Sequence, residues 1–175
     1  PRFIKTHLPF KLLPWQLRTG EKKPKVIYVF RNAKDTCISY FHHSKLLFGF
    51  RGNFEDFCAL YLGDTVTYAP FWKHVLGYWN KRDDENVLFL KYDDMKKDLR
   101  SAIKITATFL GKNLTNDQVS ALVEHLSFSR MKENPAVNNE QHVADVQKVT
   151  QVKQDGVFMR SGKTEQWRTV MNPET

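Results

Sequence analysis

Residues 26–30 are Val26-Ile27-Tyr28-Val29-Phe30, and Arg31-Asn32-Ala33-Lys34-Asp35 follow directly. The first five residues are β-branched or aromatic and show no polar alternation, which predicts a strand buried on both faces of a sheet. Asn32 can cap the N-terminus of a helix, and Asp35 lies in the first turn of that helix. This part of the chain therefore predicts a strand that leads at once into a helix.

The same alternation of strand and helix continues along the chain. Val87-Leu88-Phe89-Leu90 predicts a second short buried strand. Apolar residues at helical spacing predict helices over residues 37–48, 54–61, 68–79, 99–110 and 115–123. The last of these opens with a capping box of Thr115 and Gln118. Strands separated by helices predict an α/β fold in which a parallel sheet is flanked by helices on both faces.

Two further segments complete the predicted organisation. Residues 1–9 begin without Met or a turn signal and predict another short strand, so we expect the chain to begin inside a domain. Residues 131–154 are polar and rich in Asn, Gln and Lys, which predicts a long mobile surface segment. Segments of that length are often functional lids.

Composition limits the class of protein. Hydrophobic residues make up 41% and aromatic residues 13%, which excludes global disorder. No apolar run approaches the ~18–20 residues that cross a bilayer, and no signal-peptide pattern is present. Cys37 and Cys58 have no CxxC spacing, so we expect a reducing compartment, the cytoplasm, and no disulfide framework. The net charge of +8 favours anionic partners without distinguishing nucleic acid, membrane and small polyanions.

Arg31 is the first candidate binding residue. It follows a predicted parallel strand, and open α/β sheets bind ligands at that edge. The next helix directs its free N–H groups to the same place, and Ser39 lies two turns along it. A phosphate group is the natural occupant of such a site. An ion pair between Arg31 and a neighbouring carboxylate explains the same spacing equally well.

His7 is the first candidate catalytic residue, because it follows the predicted first strand and lies beside Lys5. A histidine there can act as a general base with a cation nearby, although a surface or satisfied histidine has the same pattern.

The other histidines lack metal-ligand spacing, so we expect no metal site. Residues 156–164 imitate a phosphate-binding loop, but five residues separate the two glycines where that loop has four, so we reject a nucleotide kinase.

Five segments together resemble the cytosolic-type sulfotransferase family, whose sulfonate donor is 3′-phosphoadenosine 5′-phosphosulfate (PAPS). In order and at the separations expected of the family, they are Lys5-Thr6-His7-Leu8-Pro9, residues 28–35 with Ser39-Tyr40, residues 70–79, residues 90–98, and residues 158–162 with Trp167-Arg168. The resemblance implies a P-loop nucleotide-kinase-like α/β fold and one sulfotransferase domain over residues 1–175, incomplete at its N-terminus.

The resemblance also implies roles for individual residues. His7 is the base that removes the proton of the acceptor hydroxyl, and Lys5 lies near the transferred group. Arg31 and Ser39 hold the 3′-phosphate of the donor. The remaining implied donor contacts are Tyr92 and Phe128 beside the adenine, with Phe158, Met159, Arg160 and Gly162 completing the phosphate pocket. The implied acceptor is a small hydroxyl- or amine-bearing molecule, with neither nucleic acid nor membrane as a partner.

Departures from the family pattern keep some alternatives open. Ser161, Glu165 and Leu126 replace the usual Lys, Gly and Thr. The family's phosphosulfate loop would precede Pro1, so we expect this chain alone to be inactive. The usual dimer-forming tail is not recognisable at residues 172–175, which leaves a homodimer undecided. A non-catalytic nucleotide-binding relative and a basic nucleic-acid-binding domain remain the alternatives.

Overall fold

The computed structural model describes residues 2–151 and 156–171. Within these residues the chain forms two β-strands and ten α-helices, preceded by a 3₁₀ turn at Phe10–Leu12. In chain order they are α1 (Trp15–Arg18), β1 (Val26–Phe30), α2 (Ala33–Phe48), α3 (Phe54–Leu62), α4 (Phe71–Trp79), β2 (Val87–Lys91), α5 (Tyr92–Lys97), α6 (Leu99–Phe109), α7 (Asn116–His125), α8 (Phe128–Glu133), α9 (Glu140–Thr150) and α10 (Trp167–Val170).

The two strands pair in parallel, which confirms the predicted α/β class. Their register runs from Val26 opposite Val87 to Phe30 opposite Lys91. Both strands therefore end at the same level, and the residues that follow them lie at one edge of the sheet. That edge carries the N-terminus of α2 and the start of α5.

Local capping chemistry fixes where the helices begin. The side chain of Asn32 accepts a hydrogen bond from the Lys34 backbone N–H, as predicted. Thr115 and Gln118 form the predicted reciprocal capping box. The N-terminus of α2, next to the candidate phosphate site, is thus fixed by its own sequence.

The core of the α2–α3 pair is built from Cys37, Phe57 and Cys58, which are all buried. The two thiols are free, and their sulfurs are 3.6 Å apart. Aromatic rings on both helices surround this cluster, including Tyr40 and Phe41. None of the described helices is both long and apolar enough to cross a membrane.

The prediction that β1 is buried on both faces is wrong for the described part of the chain. Ile27 is 39% exposed and Val29 is 47% exposed, whereas Tyr28 packs against Tyr78 on α4. Side chains alternate between the two faces of a strand. Helix α4 therefore covers the Tyr28 face, while the face of Ile27 and Val29 stays accessible among the described residues.

The predicted strand at the start of the chain is also absent. Residues 2–9 have no regular secondary structure, and Phe3 and Ile4 are exposed. A strand needs a neighbour to bond its backbone, and in the described residues β1 and β2 pair only with each other. An apolar sequence was therefore not sufficient for a strand here.

The segment at 131–154 is more ordered in conformation than its polar sequence suggests. Helix α9 occupies much of it, and Asn138 and Val143 are buried. Residues 152–154 and the tail at 172–175 lie outside the described residues. Mobility of this segment stays a prediction.

Candidate functional site

The C-terminal edge of the sheet brings Arg31 and Tyr92 together. Arg31 directly follows β1 and Tyr92 directly follows β2, and the last residues of the two strands are paired. The Arg31 guanidinium lies 4.9 Å from the centre of the Tyr92 ring, within cation–π distance. The parallel register thus places these two predicted donor contacts side by side.

Arg31 has protein partners but retains hydrogen-bonding capacity. Its Nη2 donates to the Lys163 carbonyl at 2.6 Å and lies 3.7 Å from Oδ2 of Asp35. Its Nε is buried without a hydrogen-bond partner among the described residues. The carboxylate pairing that the sequence left open does occur. Because a guanidinium carries five N–H donors, it does not preclude an anionic ligand.

Asp35 ties the segment after residue 156 to the start of α2. It is 1% exposed and accepts hydrogen bonds from the backbone N–H groups of Glu165 at 2.6 Å and Trp167 at 3.1 Å. A buried carboxylate needs such partners. From the sequence Asp35 was assigned only a place in the first turn of α2, because its partners are 130 and 132 residues away in the chain.

Gly162 lets this segment approach the Phe128 ring. Its φ is +60°, and a Cβ added to it would lie 2.3 Å from a carbon of that ring. The Tyr92 hydroxyl donates to the Gly162 carbonyl at 3.4 Å, and the Lys96 ammonium lies 5.5 Å from the centre of the Phe128 ring. The predicted adenine-side residues Tyr92 and Phe128 are therefore both in contact with the segment that carries Arg160.

Arg160 supplies a second cation close to Arg31. Burial, and then the positive charge of Arg31, lower the pKa of Arg160. Its Nη2 donates to the Gln166 side chain at 2.7 Å, a neutral partner that sequence analysis did not identify. An anion bound beside both arginines would offset the effect that the charge of Arg31 has on Arg160. This part of the site is suited to a phosphate group.

A cavity of about 470 Å³ has Arg31 in its wall. Among its lining residues are Lys5, His7, Arg31, Ser39 and Phe158, so five predicted site residues face one space. Aromatic side chains supply much of the remaining wall. They are Tyr28, Phe30, Tyr40, Tyr61, Tyr68 and Phe71. The cavity therefore combines a predominantly apolar wall with a few polar groups, as small-molecule sites do.

His7 is an exposed residue at the wall of this cavity, and its surroundings favour the neutral form of its side chain. Burial, then the charge of Lys5 and then His74, lower the pKa of His7. Its ring centre is 5.1 Å from that of Tyr68. A neutral imidazole has a free lone pair, so His7 is able to accept a proton from a molecule in the cavity.

The predicted site residues form two adjoining groups. One group lines the cavity, and the other lies outside its lining and consists of Tyr92, Phe128, Met159, Arg160 and Gly162. Arg31 belongs to both groups, since it lines the cavity and contacts Tyr92. Met159 is half-buried. His43 and His74 also line the cavity. Neither was a predicted site residue, although His74 lies in the segment at residues 70–79 that carries part of the resemblance.

Comparison with known proteins gives consistent results. The model of the sulfotransferase domain family matches residues 1–175. Luciferin sulfotransferase of Photinus pyralis is 47% identical over 173 residues, covering 99% of this chain and 47% of that protein. Amine sulfotransferase of Oryctolagus cuniculus is 35% identical over 176 residues, covering 99% of this chain and 57% of that protein.

A solved structure of retinol dehydratase in a complex with retinol and PAP superimposes with a TM-score of 0.88 at 38% identity. The match covers 99% of this chain and 49% of that structure. The chain thus spans about half the length of the proteins that it matches. With a family model matched over all of its residues, this chain belongs to the sulfotransferase domain family.

Proposed function

We propose that the protein carrying this chain transfers a sulfonate group from PAPS to a hydroxyl, or less often an amine, of a small acceptor. The observation that carries the proposal is the shared cavity, in which His7 and Lys5 face the same space as Arg31 and Ser39. A base and an anion site are the two parts that this reaction requires. The matched structure with PAP supports the donor class.

His7 is the proposed general base. A hydroxyl oxygen is a poor nucleophile until its proton leaves, and the lowered pKa of His7 keeps the imidazole ready to accept that proton. The acceptor oxygen then forms the new bond to sulfur while the bond from sulfur to the donor phosphate breaks. Lys5 lies close enough to His7 to lower its pKa, and its ammonium is available to the oxygens of the transferred group.

The donor is proposed to lie along Arg31, Ser39 and Arg160. Among the described residues the Nε of Arg31 has no partner, and the pKa of Arg160 is lowered, so both are cations that an added phosphate would stabilise. PAPS supplies the activated sulfonate and a good leaving group. This chain supplies orientation, and the rings of Tyr92 and Phe128 are the proposed adenine contacts, with Phe158, Met159 and Gly162 beside them.

The acceptor is proposed to be largely apolar with one reactive hydroxyl or amine. The rings in the cavity wall provide flat apolar surfaces against which an aromatic or polyene skeleton packs. Luciferin, amine and retinol in the names of the matched proteins fit this class.

The test is sulfonate transfer by the full-length protein, measured with labelled PAPS and a panel of phenols, aliphatic alcohols and amines. His7→Asn should lower kcat on an aliphatic alcohol by about 10²–10⁴-fold, the range of general-base assistance. Binding of adenosine 3′,5′-bisphosphate should remain, and acidic phenols should lose less activity because they ionise unaided. Near-normal kcat of His7→Asn on the alcohol would exclude the base role. Nucleotide binding without any turnover would indicate a non-catalytic relative.

A further inference from the structure

We propose that His74 is a positioning residue that, together with Tyr78, holds the backbone of His7 in the orientation that general-base chemistry requires. The inference rests on the proposed function of His7. Residues 2–9, which carry His7, have no regular secondary structure. A catalytic side chain on such a segment needs another source of rigidity, because useful geometry is lost with shifts of about 1 Å.

His74 joins His7 to Tyr28 through two hydrogen bonds in series. Nε2 of His74 lies 3.1 Å from the backbone carbonyl oxygen of His7, and Nδ1 of His74 lies 3.0 Å from the Tyr28 hydroxyl. A carbonyl oxygen only accepts, so Nε2 of His74 must carry the proton. In the neutral ring Nδ1 is then the acceptor, and the Tyr28 hydroxyl donates to it. The surroundings thus fix the tautomer of His74.

The Tyr28 hydroxyl stays protonated and can therefore donate to His74. Burial raises the pKa of Tyr28 to about 12, so its hydroxyl keeps its proton under physiological conditions. Its ring stacks on that of Tyr78 with the centres 4.2 Å apart. Tyr28 lies on β1 and His74 lies on α4, so the two hydrogen bonds connect the backbone of His7 to two regular elements.

Tyr78 holds the adjacent residue in the same way. Its hydroxyl donates to the Leu8 carbonyl at 2.8 Å, and Tyr78 itself is buried. His74 and Tyr78 are four residues apart and therefore lie on one face of α4. Two successive carbonyls of the irregular segment are thus bound by one helix face, which limits the backbone rotation that would turn the His7 ring away from the cavity.

The experiment compares His74→Asn with His74→Gln in the full-length protein. The amide nitrogen of Gln reaches about as far as Nε2 of His and keeps the donor to His7. The shorter Asn reaches only the Nδ1 position and loses that donor. We expect His74→Asn to lower kcat by about 10- to 100-fold, the scale of lost catalytic geometry. His74→Gln should stay within about threefold of the original kcat, since it keeps the hydrogen bond.

The affinity for adenosine 3′,5′-bisphosphate separates positioning from general damage, because His74 is not among the proposed donor contacts. It should stay within about twofold in both variants, less than the loss of one hydrogen bond. Equal losses of kcat in both variants would show that the imidazole shape matters and not its donor, which overturns the inference. Unchanged kcat in His74→Asn, with His7→Asn inactive, would overturn it as well and leave the proposed function standing.

Tyr78→Phe provides an independent check if His74→Asn does not fold. It keeps the stacked ring and removes only the donor to Leu8, so kcat should fall several-fold with nucleotide affinity unchanged. An unchanged kcat in a folded Tyr78→Phe would contradict the role of this helix face. Near-normal activity of His7→Asn would instead refute the proposed function on which the inference depends.

Discussion

Replacing Arg31 with Ala should selectively weaken the binding of nucleotides that carry a 3′-phosphate. One donor of the guanidinium is used by the Lys163 carbonyl, while Nε has no partner among the described residues. Because a guanidinium carries five N–H donors, at least one further charge-assisted hydrogen bond remains for a ligand. Such a bond contributes roughly 1.5–3 kcal/mol, which corresponds to about 10–150-fold in affinity.

The fold should tolerate this substitution. Asp35 keeps its two backbone N–H donors after the arginine is removed, so its buried carboxylate is not left without partners. Arg31→Lys keeps the positive charge but not the planar donor arrangement, and should give an intermediate loss. Arg130→Ala removes an arginine that pairs with Glu124 on the surface and serves as the control for net charge.

Calorimetry of each variant with adenosine 3′,5′-bisphosphate and with adenosine 5′-monophosphate distinguishes the explanations. We expect the large loss for the bisphosphate only, because the monophosphate lacks the 3′-phosphate that Arg31 is proposed to hold. Similar losses for both ligands would show that Arg31 supports the site as a whole. A loss in Arg130→Ala equal to that in Arg31→Ala would show that only net charge matters.

Three further predictions concern other parts of the site. The pKa of His7 is lowered from 6.5, and the neutral ring is the proposed active form. The value of kcat/KM should therefore rise with pH through that lowered pKa and level off by about pH 7. A value of kcat/KM that still rises well above pH 7 would contradict this. Asp35→Asn should lower the free energy of unfolding by about 1–3 kcal/mol, because it weakens a buried acceptor of two N–H groups and the pairing with Arg31. Urea denaturation measures this loss, and an unchanged midpoint would refute the prediction. Gly162→Ala should lower the free energy of unfolding by about 1–2 kcal/mol, because the residue has a positive φ, and should also displace the Phe128 ring. Denaturant unfolding measures the first effect and nucleotide titration the second. An unchanged nucleotide affinity would show that Phe128 is not part of the nucleotide site.

The features that sequence predicted correctly depend on neighbouring residues. The strand at residues 26–30, the Asn32 cap and the start of α2 all follow from local conformational preferences. The position of Arg31 follows from them, because parallel strands end at one edge and Arg31 directly follows one of them. The pairing with β2 then brings Tyr92 to the same edge.

The features that sequence did not predict depend on residues far apart in the chain. No local pattern indicates that Asp35 binds the backbone at Glu165 and Trp167, or that His74 binds the carbonyl of His7. The same limit explains the wrong strand assignment at residues 2–9. Whether an apolar segment becomes a strand depends on a partner strand, and a segment's own composition does not specify one.

These long-range contacts share one physical feature, which is that they hold irregular backbone against regular elements. Asp35 on α2 binds the segment that carries Arg160, and His74 and Tyr78 on α4 bind the segment that carries His7. In the part of the chain that the structure describes, neither segment pairs with a strand to fix its position. Buried Asp35 and Tyr78 and half-buried His74 supply that rigidity, so the proposed base and the proposed phosphate contacts depend on side chains that hold their backbone in place.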